Sequence, residues 1–283
     1  MNILSIQSAV AYGHVGNSAA VFPLQRIGHE VWPVYTVNFS NHTGYGDWKG
    51  PLIPASEVAA IIDGLDARGA LGRVDAVLSG YQGGDDIADV IIDAVARVKA
   101  QNPEAVYACD PVMGNQKSGC FVSDNIPPLL RDRVVPVADI ISPNQFELGY
   151  LTGVEATDLA STLSAVEKAK EMGPATVLVT SVERPDADTE NFIEMLMSDE
   201  KGSWIVQTPR LPFKRNGSGD VTSALFTGHY IRTGDAAEAL ARTASSVFGM
   251  LEMTYEADSQ ELLLVEAQEH YAHPKMQFEV TKL

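Results

Sequence analysis

The chain has 283 residues, 45% hydrophobic and 20% charged, with 23 Gly and 15 Pro, a balance that excludes disorder and suits one large α/β domain or two small ones. Lys plus Arg number 20 against 37 Asp plus Glu, a formal net charge of −17; this disfavours a nucleic-acid binder and leaves any anionic ligand to local amides, a few basic groups or a cation. Cys109 and Cys120 form no disulfide framework, no apolar run approaches the roughly 20 residues that span a bilayer, and the N-terminus lacks a basic, then apolar leader, so a soluble cytoplasmic protein with no membrane partner is expected.

Asn2 to Gln7 predicts a buried first strand, Gly16 to Ile27 a helix with Pro23 in its middle, and Glu30 to Phe39 a second strand. Asn41 to Gly50 is too rich in Gly and polar groups to extend that strand and reads as a flap. Ser56 is placed to cap a helix whose Val58, Ile61, Ile62 and Leu65 share a face. Val74 to Ser79 is a strand, and Asp85 and Asp86 open a helix with Ile87, Val90, Ile91, Ala94, Val95 and Val98 at helical spacing. Strands follow at Ala105 to Cys109, Ala138 to Ser142 and Thr176 to Thr180, each separated by helical sequence. This alternation predicts an α/β fold, a mostly parallel central sheet with helices on both faces. Asn191 to Ser198 and Ser203 to Thr208 read as an antiparallel hairpin near one sheet edge. After Asn216 three helices are expected, over Asp220 to Thr233, Asp235 to about Glu256 and Ser259 to His270. With neither repeat nor linker, residues 1–283 read as one domain carrying a flap at about 39–50.

Ligands of open α/β sheets bind beyond the carboxyl ends of the strands, so the segments after each strand hold the candidate site. Those segments bring Ser8, the Gly13–Gly16 turn, the 41–50 flap, Gly80-Tyr-Gln-Gly-Gly84, Asp110-Pro-Val-Met-Gly114, Ser142-Pro-Asn-Gln-Phe-Glu147 and Thr180-Ser181 to one rim. Asn216-Gly-Ser-Gly-Asp220 stands directly before a helix; its glycines allow close backbone approach and its amides form an anion site. Asp220 there either caps the helix or accepts a proton from a substrate hydroxyl. Asp110 and Glu147 at strand ends suit a hard cation such as Mg²⁺ bridging substrate phosphates. Anion hole, metal and proton acceptor together describe phosphoryl transfer. Neither a dinucleotide fingerprint after the first strand nor a P-loop Gly-Lys-Ser/Thr is present.

Ser5-Ile-Gln-Ser8, Tyr12-Gly-His-Val-Gly-Asn-Ser-Ala-Ala20, Phe39-Ser-Asn-His-Thr-Gly-Tyr45 with Trp48-Lys-Gly50, Ser79-Gly-Tyr81, Cys109-Asp-Pro-Val-Met-Gly114, Pro143-Asn-Gln-Phe-Glu147 and Gly217-Ser-Gly-Asp220 together resemble the pyridoxal kinases of the ribokinase-like superfamily over essentially the whole chain. The resemblance implies a three-layer ribokinase-like sandwich with a flap and a lid at about 113–124. It implies transfer of the ATP γ-phosphate to the 5′-hydroxyl of pyridoxal, with Mg²⁺ and a monovalent cation such as K⁺, in a homodimer. By position, Asp220 is the implied base, and Gly217, Ser218 and Gly219 hold the transferring phosphoryl group. Asp110 and Glu147 act on Mg²⁺ and ATP with Asn144 beside them. Ser8, Thr43 and Tyr81 contact pyridoxal, and Thr180 with Thr208, Pro209, Arg210 and Leu211 contacts the nucleotide. Two departures stand out: Ser218 where relatives often carry Thr or Val, and Thr180 where one bacterial branch has lysine. The alternatives are a hydroxymethylpyrimidine kinase of the same fold, against which Ser8, Thr43 and Tyr81 argue, and a non-catalytic vitamin B6 binder, against which the three acids argue.

Overall fold

The computed structural model describes residues 1–283. Strand β1 (Asn2–Val10) outlasts the expected Gln7, because its ladder with β2 (Glu30–Phe39) resumes after a register shift between Gln7 and Ala9. Between them α1 (Asn17–Arg26) continues through Pro23, whose buried ring offsets the amide bond it lacks. Helix α2 (Ala55–Asp66) starts behind Pro54; Ser56 lies inside its first turn and caps nothing, and Ile61 is 48% exposed while Val58 and Ile62 face inward. Strand β3 (Ala76–Ser79) leads to α3 (Ile87–Gln101), which buries Ile87, Ala88, Ile91, Ala94, Val95 and Val98. Asp86 makes no side-chain cap to α3, and Asp85 accepts instead from Ser123 Oγ at 2.9 Å and Asn125 Nδ2 at 2.7 Å.

Strand β4 (Val106–Cys109) is followed by a small hairpin, β5 (Gly114–Asn115) and β6 (Gly119–Cys120), within the expected lid segment. Then come α4 (Ile126–Leu129), β7 (Ile140–Ile141), α5 (Gln145–Thr152), α6 (Leu159–Glu171) and β8 (Thr176–Val182). The hairpin β9 (Phe192–Asp199) and β10 (Gly202–Pro209) pairs antiparallel as its turn sequence predicts. Helices α7 (Ser218–Thr233) and α8 (Ala236–Glu256) match the expected pair. The third C-terminal helix is a correction: residues 259–267 are irregular, only α9 (Gln268–Ala272) is helical, and β11 (Val280–Lys282) closes the sheet against β10. Leu262, Leu264 and Ala267 are nevertheless buried in the core, so tertiary burial holds this stretch without a helical ladder.

Nine of the eleven strands form one sheet in the order β11-β10-β9-β8-β7-β4-β3-β1-β2, with β5 and β6 paired apart from it. From β2 to β8 every neighbour is parallel, whereas β8, β9, β10 and β11 pair antiparallel. Successive strand residues serve opposite faces. Leu4, Ile6, Val77, Tyr107, Val177 and Val179 pack under α2, α3, α5 and α6, while Ile3, Ala76, Leu78, Ala108 and Leu178 pack under α1, α7 and α8. The result is the three-layer sandwich expected. The chain steps from β1 outward to β2, then back across to β3 on the other side of β1. The crevice at that reversal is where such sheets bind ligands.

Candidate active site

A cavity of about 590 Å³ opens at this reversal, over the carboxyl ends of β1, β3, β4 and β7. One side is apolar: Val10, Val15, Val37 and Phe39 form a separate small cluster with Tyr81 packed against it. Ser8 and Thr43 also line the cavity, and neither hydroxyl makes a hydrogen bond within the protein. The other side is polar, lined by Asp110, Asn144, Glu147, Thr180, Gly217, Gly219 and Asp220. A flat, partly polar ring suits the first side; on the second, three carboxylates leave an anion to the backbone amides and a cation.

The anion side is built by the backbone that opens α7. Gly217 has φ +88°, and a Cβ there would lie 1.7 Å from the His14 carbonyl oxygen, so no other residue fits. The first intrahelical bond, Val221 N–H to Gly217 O at 3.0 Å, leaves the amides of Ser218, Gly219 and Asp220 without helical acceptors. Ser142 Oγ and Ser223 Oγ, 2.6 Å apart, tie α7 to the end of β7. Gly16 (φ +53°) presses its backbone against Ser8, where a Cβ would sit 2.3 Å from Ser8 Oγ. Its amide also faces the Asp220 carboxylate, which connects the ring side to the anion side.

Three carboxylates share this enclosure, and burial raises all of them. Asp220 is pushed up to about 6 by burial, against the opposing pull of the Gly16 amide and its own. Glu147 is pushed up to about 7 by burial, although amides of Met113, Asn144 and Gly114 stabilise its charge. Its Oε1 accepts from Met113 N at 2.9 Å and Gly114 N at 3.2 Å, and Oε2 from Asn144 N at 2.9 Å. Asn144 returns the favour as N-cap by accepting from Glu147 N, which completes a capping box on α5. Asp110 is raised well above the carboxylate range by burial and then by the charges of Glu147 and Asp220, and no hydrogen bond compensates it. A buried, unpartnered carboxylate beside a second one fits a hard cation. Two protein carboxylates, Asp110 and Glu147, would leave such an ion several waters and room to share phosphate oxygens.

Of the residues singled out in the sequence, Ser8, Thr43, Tyr81, Asp110, Asn144, Glu147, Thr180, Gly217, Gly219 and Asp220 meet on this one cavity. Ser218 contributes backbone only, since its hydroxyl turns back to Arg215 O at 3.3 Å. Thr208, Pro209, Arg210 and Leu211 lie outside it, at the end of β10. Thr208 Oγ1 points to Ile193 O at 3.5 Å, and Arg210 pairs with Glu183 at 2.9 Å. Glu183 also borders a second groove of about 910 Å³ with Lys117, Asn144, Ser181, Arg184 and Lys214. The two grooves share Asn115 and Asn144. Sequence reasoning placed His42 in the flap and Phe121 in the lid without singling them out, and it missed the apolar cluster as lining; the spacing of Val37 and Phe39, two apart on β2, was the signal that both face one way.

Fold and site together define a kinase of the ribokinase-like class. A family profile described as Phosphomethylpyrimidine kinase matches residues 69–262. Pyridoxal kinase PdxY of Corynebacterium diphtheriae is 72% identical over 283 residues, covering 100% of both chains, and that of Leifsonia xyli is 69% identical with the same coverage. Among solved structures, the pyridoxal kinase from Leishmania donovani in complex with ADP and ginkgotoxin superposes with a TM-score of 0.93 at 31% identity, covering 100% of this chain and 99% of that one. The chain belongs to the pyridoxal kinase family.

Proposed function

We propose that this chain transfers the γ-phosphate of ATP to the 5′-hydroxyl of pyridoxal. The observation that carries the reading is that one cavity joins an apolar ring pocket with free hydroxyls to a glycine-turn anion site headed by Asp220. The pyridine ring lies against Val10, Val15, Val37, Phe39 and Tyr81, with Ser8 and Thr43 bonding its polar substituents. Asp220, with its carboxyl at about 6, is ionised at neutral pH and takes the hydroxyl proton as the oxygen attacks phosphorus. The amides of Gly217, Ser218 and Gly219 receive the transferring phosphoryl group, where they need no reorganisation.

Asp110 and Glu147 would hold Mg²⁺, which when bound would supply positive charge beside the donor phosphates. Asn144, Thr180 and the 208–211 segment serve the nucleotide along the second groove. Residues 1–283 act as one domain, with 39–50 as flap and 113–124 as lid. The family resemblance supports a K⁺-type activator, a homodimer and a cytoplasmic setting; no helix is long and apolar enough to cross a membrane.

The pyrimidine-kinase reading draws on the profile match, but residues 69–262 leave out Ser8, Thr43 and the apolar cluster. The test is to incubate the protein with Mg²⁺ and ATP alongside pyridoxal, pyridoxine, pyridoxamine and hydroxymethylpyrimidine, and to resolve products by mass. Phosphate on pyridoxal supports the proposal, and phosphate on the pyrimidine alone moves the substrate. Binding of B6 with no product makes this a binding protein in a kinase fold.

A further inference from the structure

The flap reaches over the cavity with Thr43 and Gly44 among the lining residues. Its root is held by Tyr12 N–H to Ser40 O at 2.8 Å and the Tyr45 ring lies beside Tyr12, but beyond the root its hydrogen bonds are almost all internal. Its base is zipped by Ser40 N–H to Lys49 O at 2.7 Å and Asn38 N–H to Pro51 O at 3.0 Å. Asn41 Nδ2 donates to Asp47 O at 2.9 Å, His42 Nδ1 accepts from Gly44 N at 3.0 Å, and Tyr45 N–H returns to His42 O at 3.1 Å. Among residues 41–47, one hydrogen bond leaves the flap, from the Tyr45 hydroxyl to Glu261 Oε1. The other oxygen of that carboxylate, Oε2, accepts from His14 N at 3.3 Å and fills the place where a Cβ on Gly13 would sit. Glu261 therefore joins the flap tip to the turn whose Gly16 separates Ser8 from Asp220.

The segment that carries Glu261 is itself anchored. Ser259 O accepts from Arg215 Nε at 2.6 Å, just before the glycine turn, and Ser259 Oγ donates to Glu261 O at 2.6 Å. Leu262 is buried, with its Cδ1 3.3 Å from where a Gly217 Cβ would be. The irregular path of residues 259–267 brings the Glu261 carboxylate to the flap tip.

We infer that Glu261 is a positioning residue, a latch that holds the flap closed over the ring side of the cavity by accepting the Tyr45 hydroxyl and the His14 amide together. It touches no reacting atom; it acts through the flap on Thr43. This inference rests on the proposed kinase reading for its kinetic consequence and on the structure alone for its mechanical one.

The test uses the full chain as wild type, Tyr45→Phe, Glu261→Ala and the double variant. Tyr45→Phe removes one exposed hydroxyl and leaves the fold intact. Tryptic cleavage after Lys49, followed by mass, reads flap opening without substrate. Pyridoxal KM and kcat read its consequence. The latch predicts cleavage several-fold faster in both single variants and a pyridoxal KM raised roughly 5- to 20-fold, with kcat and the KM for ATP within about twofold of wild type. The double variant is expected to be no worse than Glu261→Ala, because both changes break one interaction. Unchanged cleavage and KM in Tyr45→Phe, or additive effects in the double variant, overturn the latch. A wild type that does not phosphorylate pyridoxal, yet whose variants open faster, keeps the latch and sinks the kinase reading.

Discussion

Asp110 is buried against two other carboxylates and has no hydrogen-bond donor, so it is a cost to folding that the proposed cation would relieve. Its folded titration lies above its unfolded one. The stability that its protonated form contributes is therefore complete below about pH 4 and lost as pH rises through the folded value. Asparagine cannot ionise, so Asp110→Asn is expected to raise the ligand-free Tm by a few degrees at pH 8, with the difference closing toward pH 5, while turnover is lost. Differential scanning calorimetry at both pH values checks this, and an Asp110→Asn protein less stable than wild type at pH 8 contradicts it. The comparison with wild type is needed because His29 and His229 pull the raw curve the other way. Burial lowers them to about 4 and about 3, and the stability they contribute above about pH 6.5 is lost as pH falls. Asp220 makes a kinetic prediction of its own: kcat/KM for pyridoxal should climb with pH and level off above about 6. A rate flat from pH 5 to 8 argues against an aspartate base.

At the scale of elements, the glycine turn before α7 separates two glycines that look alike in sequence. Gly217 combines φ +88° with the His14 carbonyl 1.7 Å from its absent Cβ, whereas a Cβ on Gly219 meets nothing within 4 Å. Gly217→Ala is expected to cost roughly 2 kcal/mol of stability or more. Gly219→Ala should leave Tm nearly unchanged yet slow turnover, because the methyl stands at the cavity wall. Equal destabilisation of the two, by thermal unfolding, contradicts the assignment. The strand-helix alternation was legible because the Ile87–Val98 face follows a helical period, while Ile3, Leu4 and Ile6 form a short apolar run of strand length bounded by polar sequence. Ser56 misled because a capping residue type is also tolerated inside a first turn, and Pro54 set the start. The helix expected from Ser259 failed because Leu262 and Leu264 satisfy their burial through the packed core, which no local period records. Strand-end residues of the site were readable from their position after strands; the 208–211 segment lies off the main cavity, where chain order alone places nothing.

For the whole molecule, a net charge of −17 with three carboxylates around the cavity makes free ATP a poor fit and its magnesium complex a good one. Ligand stabilisation should show this. Mg²⁺ with ATP should raise Tm by several degrees, and ATP with EDTA by about one degree or less; equal shifts in a thermal-shift assay would remove the cation from the binding step. The central claim is that phosphate passes to pyridoxal on this cavity with Asp220 as base. The most direct measurement gives wild type and Asp220→Asn the same γ-labelled ATP, Mg²⁺ and pyridoxal, and follows label into the product. Wild type should label pyridoxal on its 5′-oxygen, and Asp220→Asn should do so at least about 10²-fold more slowly while still showing the Mg²⁺-ATP thermal shift. Label transferred at comparable rates by both proteins would contradict the account.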